Sequence, residues 1–482
     1  MTEQNLKDKT VIGTFWSAAD NIANQGITFL VGLLLARMLT PEEYGLIGII
    51  TIFISIFNSI VDSGFSNALI RKKDADDVDY NTVFWSNMLI SGILFILLFL
   101  SSNVIASFFN SSQLKPLTEV MSIIIIINAF AIIQRTILIK KIDFKTQTKV
   151  SLISSVFSGI IGFAMAFMGM GVWALVGQQL SRQLANSSLL WLFNTWRPHI
   201  IFSWSRFNNL FNFGWKLLVS GLIDTLWQQF FQVVIGKYYT PSALGQYTRA
   251  NDFSKIFSSN ITSIVHKVSF PVLSFIQDDK QRMRLAYRRV IKITVLITFS
   301  CMLGLAGCAE NFVYVLVGEQ WLPCVPMLQI ICFMMMLYPL QALNLNLLQV
   351  AGRSDLFLKL EIIKKIIAIV PLLLGIYVGI YWMLISSVFV SIISYFLNAY
   401  YSGTFINYGI YSQIKDIIPS LVLSFLIGCM LYFIGMIDAN KYFTFLLQLF
   451  VGGTLFIFLC EIFKLEEFVE IKDIIRNIIA KR

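Results

Sequence analysis

Charge is scarce in this 482-residue chain, where Asp, Glu, Lys and Arg make up 13% of the residues. Histidine is scarcer still: His199 and His266 are the two copies, well separated in sequence. Long polar stretches are missing as well. Each scarcity excludes something. With 57% apolar residues, a water-soluble domain would lack polar surface to show to solvent. Two distant histidines and no paired carboxylates on a sizeable loop leave no metal cluster and no acid–base pair, so no enzyme is expected. No glycine-rich phosphate loop is present, so no nucleotide-binding domain, no cofactor and no direct ATP drive are expected. The six cysteines (Cys301, Cys308, Cys324, Cys332, Cys429, Cys460) show no Cys-x-x-Cys spacing. They are expected to be buried apolar thiols, with a Cys308–Cys324 disulfide as the alternative.

What is present is apolar sequence in blocks of membrane length. The mean hydropathy is +0.73, and a helix that crosses a bilayer needs roughly 20 apolar residues. Fourteen windows qualify: 11–37, 44–69, 82–106, 117–139, 148–170, 172–194, 209–237, 246–272, 288–308, 326–350, 359–379, 381–402, 413–435 and 441–463. Met1–Thr10 is a short polar lead, and the helix after it is too long for a cleavable signal. The fold class is therefore all-α and membrane-integral.

The net charge of +10 is distributed by loop, and not as a nucleic-acid patch. With the N-terminus inside, one set of connections carries Arg71, Lys72 and Lys73, then Lys140, Lys141 and Lys145, then Lys280, Arg282, Arg284, Arg288 and Arg289. The opposite set carries Arg37, Lys115, Lys237, Arg249 and Lys441. The excess on one side obeys the positive-inside rule and places both termini in the cytoplasm.

A turn is written twice. "LARMLTPEEYGLIG" (Leu35–Gly48) and "IGKYYTPSALGQYT" (Ile235–Thr248) share Thr-Pro-x-x-x-Gly at Thr40, Pro41 and Gly45, and again at Thr240, Pro241 and Gly245. The copies lie 200 positions apart and an even number of spans apart, so both face the same side. Proline opens a helix, and glycine lets two helices come close. Two parallel six-helix bundles are expected, 1–200 and 201–405, followed by two extra spans at 406–463 and an amphipathic cytoplasmic tail at 464–482. Gly13, Gly26, Gly32 and Gly214 are expected to allow close helix approach, and Pro271, Pro339 and Pro371 to bend spans. A parallel repeat puts the transport site in the cleft between halves.

Polar residues within spans are costly and tend to face a cavity. In the first span Trp16, Asp20 and Asn24 recur every four residues, flanked by Gln25; in the seventh, Lys216, Ser220 and Asp224 do the same, with Gln228 next on the stripe. The second span has Ser55, Asn58 and Asp62, the sixth Arg182 among amides, the eighth Arg249, and the tenth Gln341, Asn344, Asn346 and Gln349. Spans 3, 5, 13 and 14 are nearly free of such groups. Cations in a wet, low-dielectric cleft suit a phosphate, amides suit sugar hydroxyls, and carboxylates suit a coupling cation or proton. Candidate substrate-binding residues are Lys216, Arg249, Arg182, Asn24, Gln25 and Gln228. Asp20, Asp224 and Asp62 are candidates for the coupling ion or proton.

Three stretches carry a family likeness: "FLVGLLLARMLTPEEYGLIGI" (Phe29–Ile49), "DSGFSNALIRKKD" (Asp62–Asp74) and "VGEQWLPCVPML" (Val317–Leu328). With these the chain resembles the polysaccharide-transporter branch of the MOP superfamily, the Wzx-like lipid-linked oligosaccharide flippases. The resemblance implies a MATE-like fold and residence in the bacterial cytoplasmic membrane. It also implies export of a polyprenyl-pyrophosphate glycan by alternating access. Separately, a monomer amid membrane lipid is expected, with polysaccharide-assembly proteins as partners of the tail. The rival is a cation-coupled multidrug exporter on the same fold, for which Asp20, Asp62, Asp224 and Trp227 would supply the acidic, aromatic cavity.

Overall fold

The structure, a computed structural model, describes residues 23–480 apart from 63, 73 and 438. Every regular element among them is helical. The chain divides into two compact units, one reaching to Gly245 and the other starting at Gln246.

The first unit holds α1 (Ala23–Met38), α2 (Pro41–Asp62), α3 (Phe65–Arg71), α4 (Asp77–Leu100), α5 (Ser102–Phe108), α6 (Leu114–Met121), α7 (Ile123–Lys140), α8 (Phe144–Phe167), α9 (Val172–Phe193) and α10 (Trp204–Tyr238). It ends in the first turn of α11 (Pro241–Phe275). The second holds the rest of α11, then α12 (Lys280–Val317), a 3-10 turn (Glu319–Cys324), α13 (Val325–Met335), α14 (Tyr338–Val350), α15 (Ser354–Ile367), α16 (Ile369–Tyr377), α17 (Ile380–Ile406), α18 (Ile410–Gly435), α19 (Lys441–Ile462) and α20 (Glu466–Ala480).

Helix ends follow local chemistry. Asp76 and Asp79 form a reciprocal capping box at the start of α4, with Asp79 N–H donating to Asp76 Oδ1 at 3.0 Å and Asp76 N–H to Asp79 Oδ2 at 3.1 Å. These contacts, together with the nearby Arg206 and Lys72, hold the Asp76 carboxyl below its ordinary range. The side chains of Asp143, Asp279 and Asn440 cap α8, α12 and α19 by accepting from the backbone N–H groups of Thr146, Arg282 and Tyr442. Both copies of the duplicated turn fold alike: Thr40 Oγ1 accepts from Glu43 N–H at 3.4 Å, Thr240 Oγ1 from Ala243 N–H at 3.2 Å. Each is followed by proline in the first helical position, where its missing N–H is not needed.

Ten helical stretches among the described residues are long and apolar enough to cross a membrane. The other four windows of the sequence reading are helical but shorter, more polar or broken. They are α1, the amide-rich α9, the charged α11, and the pair α15–α16, interrupted at Ala368. The chain is a multi-pass membrane protein, and its helices expose apolar stripes such as Phe443, Leu446, Phe450 and Phe458 of α19.

Close backbone approach sets the packing. In the second unit a Cβ on Gly307 of α12 would lie 2.2 Å from the Gly428 carbonyl of α18, so only glycine lets these helices cross there. Around them Tyr287, Phe299, Leu343, Tyr395 and Tyr408 form a buried core. In the first unit α10 lies against α2 and α3, and a Cβ on Gly64, itself at φ 69°, would sit 2.4 Å from the Gly214 carbonyl. Gly26, by contrast, faces open space. Pro339 does break a span, at the join of α13 and α14, whereas Pro271 lies inside α11.

The expectation of unpaired cysteines holds: all six are free thiols, four of them buried and Cys301 and Cys429 half-buried; Cys308 turns its sulfur toward the Leu305 carbonyl of its own helix, at 3.7 Å, and not toward Cys324. Leu465 and Phe468 are buried with Leu296, Leu423, Ile427 and Cys460 of α12, α18 and α19. The tail helix therefore packs against protein through this face.

Candidate functional site

The first unit contains a polar cavity of about 450 Å³. Four helices build it. On α2, Asn58 and Asp62 share a face because four residues make about one turn. Ser66 and Asn67 come from α3, and Asn128, Arg135 and Thr136 from α7, with Asn128 and Arg135 seven residues apart on one stripe. Leu217, Leu218 and Gly221 of α10 form the apolar wall.

Hydrogen bonds fix the polar lining. Gln183 Nε2 donates to Asn128 Oδ1 at 2.9 Å, and Asn128 Nδ2 donates to Asn58 Oδ1 at 3.0 Å. Ser66 donates to Asp62, and Thr136 to Ser66 at 3.2 Å. Arg135 Nη2 donates to Asn186 Oδ1 at 3.3 Å, which leaves most of its donors directed elsewhere. The cavity therefore combines a fixed guanidinium, a carboxylate, carboxamides and hydroxyls. A guanidinium suits a phosphate oxyanion, and the amides and hydroxyls suit sugar hydroxyls.

A second node joins α1, α8 and α9. Asn24 Nδ2 donates to Ser151 Oγ at 2.7 Å, and its Oδ1 accepts from Ser155 Oγ at 2.6 Å and from Arg182 Nη2 at 3.1 Å. Two candidate residues, Asn24 and Arg182, thus touch each other.

The remaining candidates scatter. Gln25 is exposed on α1. Lys216, Ser220, Asp224 and Gln228 are all exposed on one face of α10. Arg249 lies in the second unit, buried, with its guanidinium 5.1 Å from the Trp321 ring centre and 5.8 Å from that of Phe253. Asp62 lines the polar cavity. Asp20 lies outside the described residues. Arg135 and Asn128 escaped the sequence reading. Their signal is two polar residues seven apart in an isoleucine-rich run, with Gln134 beside them.

At the basic end of the same unit, Arg71, Lys72, Arg206 and Asn209 border a second cavity of about 430 Å³. Arg71 stacks 4.3 Å over Phe213, Lys72 pairs with Asp79 at 2.5 Å, and Arg206 pairs with Asp76 at 3.1 Å.

A family model described as "Polysaccharide biosynthesis protein" matches residues 34–326, more than half of the chain. The chain belongs to that family. The expected likeness to the polysaccharide branch of the MOP superfamily holds. The chain is 24% identical over 377 residues to the lipopolysaccharide biosynthesis protein WzxC of Escherichia coli, covering 77% of this chain and 76% of that one. It is 27% identical over 355 residues to the teichuronic acid biosynthesis protein TuaB of Bacillus subtilis, 73% of each. Among solved structures it matches the lipid II flippase MurJ in an inward closed conformation at a TM-score of 0.71, with 15% identity over 94% of this chain and 98% of that one. An inward-facing MATE family multidrug transporter of the MOP superfamily matches at 0.62, with 15% identity over 81% and 96%. The family member thus has the fold of MOP transporters.

Proposed function

We propose that this family member moves a lipid-linked oligosaccharide, a glycan on a polyprenyl pyrophosphate, across the bacterial cytoplasmic membrane by alternating access of two helical bundles. The observation that carries the reading is the cavity of Asn58, Asp62, Asn128 and Arg135 within a chain of the polysaccharide biosynthesis family. Arg135 suits the pyrophosphate, the carboxamides suit the first sugars, and Asp62 suits a coupling cation or proton. Arg182 and Lys216 are proposed as further phosphate contacts, with Asn24, Gln25 and Gln228 on the sugars. Asp20 and Asp224 are proposed in the same ion-coupling role as Asp62, and Arg249 as a cation near the pathway.

The reading includes fourteen crossings, with α1, α9, α11 and α15–α16 added to the ten apolar stretches. It places both termini in the cytoplasm by the positive-inside rule. The bundles are taken as 1–200 and 201–405. Transport makes and breaks no covalent bond, so no catalytic group is invoked.

Expression in a bacterial strain that lacks its own glycan flippase, but still makes the lipid-linked precursor, tests the reading. Surface glycan is expected to return and the precursor pool on the inner leaflet to fall. If the precursor stays inside while the cells begin to exclude a cationic dye such as ethidium, the multidrug reading replaces this one.

A further inference from the structure

The duplicated turn does more than repeat: its two copies meet. A Cβ built on Gly45 would lie 1.8 Å from the carbonyl oxygen of Pro241, and one built on Gly245 would lie 1.8 Å from the carbonyl oxygen of Pro41. Each glycine of one copy is thus seated on the proline of the other. Gly45, Gly245 and Pro41 are buried, and the groups in the way are backbone, which has no rotamer to escape into. The next atoms are also reciprocal in kind: Pro241 C at 2.5 Å from the first Cβ, Pro41 C at 2.8 Å from the second.

That reciprocity locates the contact. When residue i of one copy touches j of the other, and j touches i, the two copies are related by a two-fold axis that passes through the contact. In a parallel duplication this axis runs along the membrane normal, and the pathway between the repeats lies on it. The Gly64–Gly214 contact is different in kind: the position equivalent to Gly64 in the second copy is Ile264, so this contact is not reciprocal and is not on the axis.

The contact also has a definite height. Pro41 opens α2, whereas Arg71, Lys72, Lys140 and Arg206 cluster beyond the far end of that helix. The turns therefore lie at the end opposite the basic loops. The surroundings reinforce the seat: Lys237 Nζ donates to the Phe108 carbonyl at 2.5 Å, and a Cβ on Gly236 would meet Phe109 at 3.1 Å and Ile49 at 3.2 Å.

We infer that the paired Thr-Pro-x-x-x-Gly turns form a two-fold clasp that shuts the transport pathway at the end away from the basic loops and must part in every cycle. The clasp accounts for why one chain keeps the same turn twice: each half supplies both the proline seat and the glycine that fits it. The inference rests on the transport reading, but the yield of a cross-link reports on the clasp whatever the cargo.

The test places cysteines at the equivalent positions Glu42→Cys and Ser242→Cys in the full-length chain and bridges them in intact cells with a thiol-cleavable bismaleimide. The bridged protein is expected to lose surface-glycan export by at least about tenfold and to recover when the bridge is reduced, with each single-cysteine variant exporting normally. Export at the unbridged rate by quantitatively bridged protein overturns the inference. So does failure of the bridge to form, since the turns would then not be neighbours. A second measurement is independent of export. The double variant Gly45→Ala, Gly245→Ala is expected to raise labelling of Leu244→Cys, a position buried in the closed turns, by a membrane-impermeant maleimide severalfold. Unchanged labelling in protein with native helicity overturns the clasp.

Discussion

The two units treat buried polarity in opposite ways. In the first, Asn58, Asp62, Asn128 and Arg135 open onto a cavity of about 450 Å³. In the second, two of the tenth-span amides, Gln341 and Asn344, are engaged in packing. Asn344 Oδ1 accepts from the Tyr287 hydroxyl at 2.9 Å and from Ser402, while its Nδ2 donates to the Leu340 carbonyl at 2.9 Å. Gln341 Nε2 donates to Ser391 Oγ at 2.9 Å. Charge follows the same rule: Arg288 grips Asp416 through two bonds of 2.6 Å, and Tyr408 donates to the same carboxylate at 2.6 Å. Burial and this hydrogen bond push the Tyr408 phenol above its ordinary range. The residue types alone do not distinguish a polar group kept for a ligand from one kept for the fold; the difference lies in whether its bonds close within the protein.

Exchange of charge at the open site gives the largest effect. Arg135→Glu is expected to lower glycan export by about a hundredfold at equal membrane abundance. A charge-assisted hydrogen bond contributes about 1.5–3 kcal/mol, and the substitution adds repulsion from the phosphate. Arg135→Lys, which keeps the charge but not the fork, is expected to lose about tenfold or less. Equal export by wild type and Arg135→Glu would remove the cavity from the pathway. Next comes Lys216→Glu on the exposed face of α10, for which a loss of about tenfold is expected, with insertion and folding unchanged. Surface-glycan quantification at matched expression reads both.

The closed site should answer in stability. Asn344→Leu strands the buried Tyr287 hydroxyl, and an unsatisfied buried donor costs about 1–3 kcal/mol. The expected result is a lower midpoint of thermal unfolding in detergent, with export per folded molecule near wild type. A large loss of export without a loss of stability would mean that the second unit also presents its amides to cargo, and the contrast between the units would collapse.

Much of this contrast was hidden from the sequence for physical reasons. Proline and glycine impose backbone conditions, so the repeat of Thr40, Pro41 and Gly45 at Thr240, Pro241 and Gly245 is readable directly. The Asn58–Asp62 stripe is readable because helical periodicity sets which residues share a face. Arg135 was not, because a cation five residues before Lys140 reads as one snorkelling toward the membrane surface. The bond between Asn24 and Arg182 depends on how α1, α8 and α9 pack, which periodicity leaves open. Asp416 sits in a span that reads as almost free of polar groups, and its partner Arg288 is 128 residues away.

The smallest expected effect probes the edge of the second unit, where polarity closes only partly. α20 is tied to α12 by Arg289 to Glu470 at 2.5 Å and by Lys292 to Glu466 at 2.9 Å and Glu467 at 3.6 Å. The Lys292 ammonium beside Glu466 holds that carboxyl below its ordinary range. A carboxylate with a depressed folded value adds stability that is present above its unfolded value, near 4.3, and is lost as pH falls through the folded one. Tail docking is therefore expected to weaken on acidification below about pH 4.3 and to be unaffected by pH near neutrality. Glu466 is largely exposed, with 80% of its side chain accessible, so Glu466→Gln should cost only a few tenths of a kcal/mol, and high salt should mask the difference. Protease cleavage rates within 466–480 measure it. A cleavage rate in Glu466→Gln that rises as far as in a variant lacking the apolar anchor, Phe468→Ala, would show that charge and not the buried Leu465–Phe468 face holds the tail down.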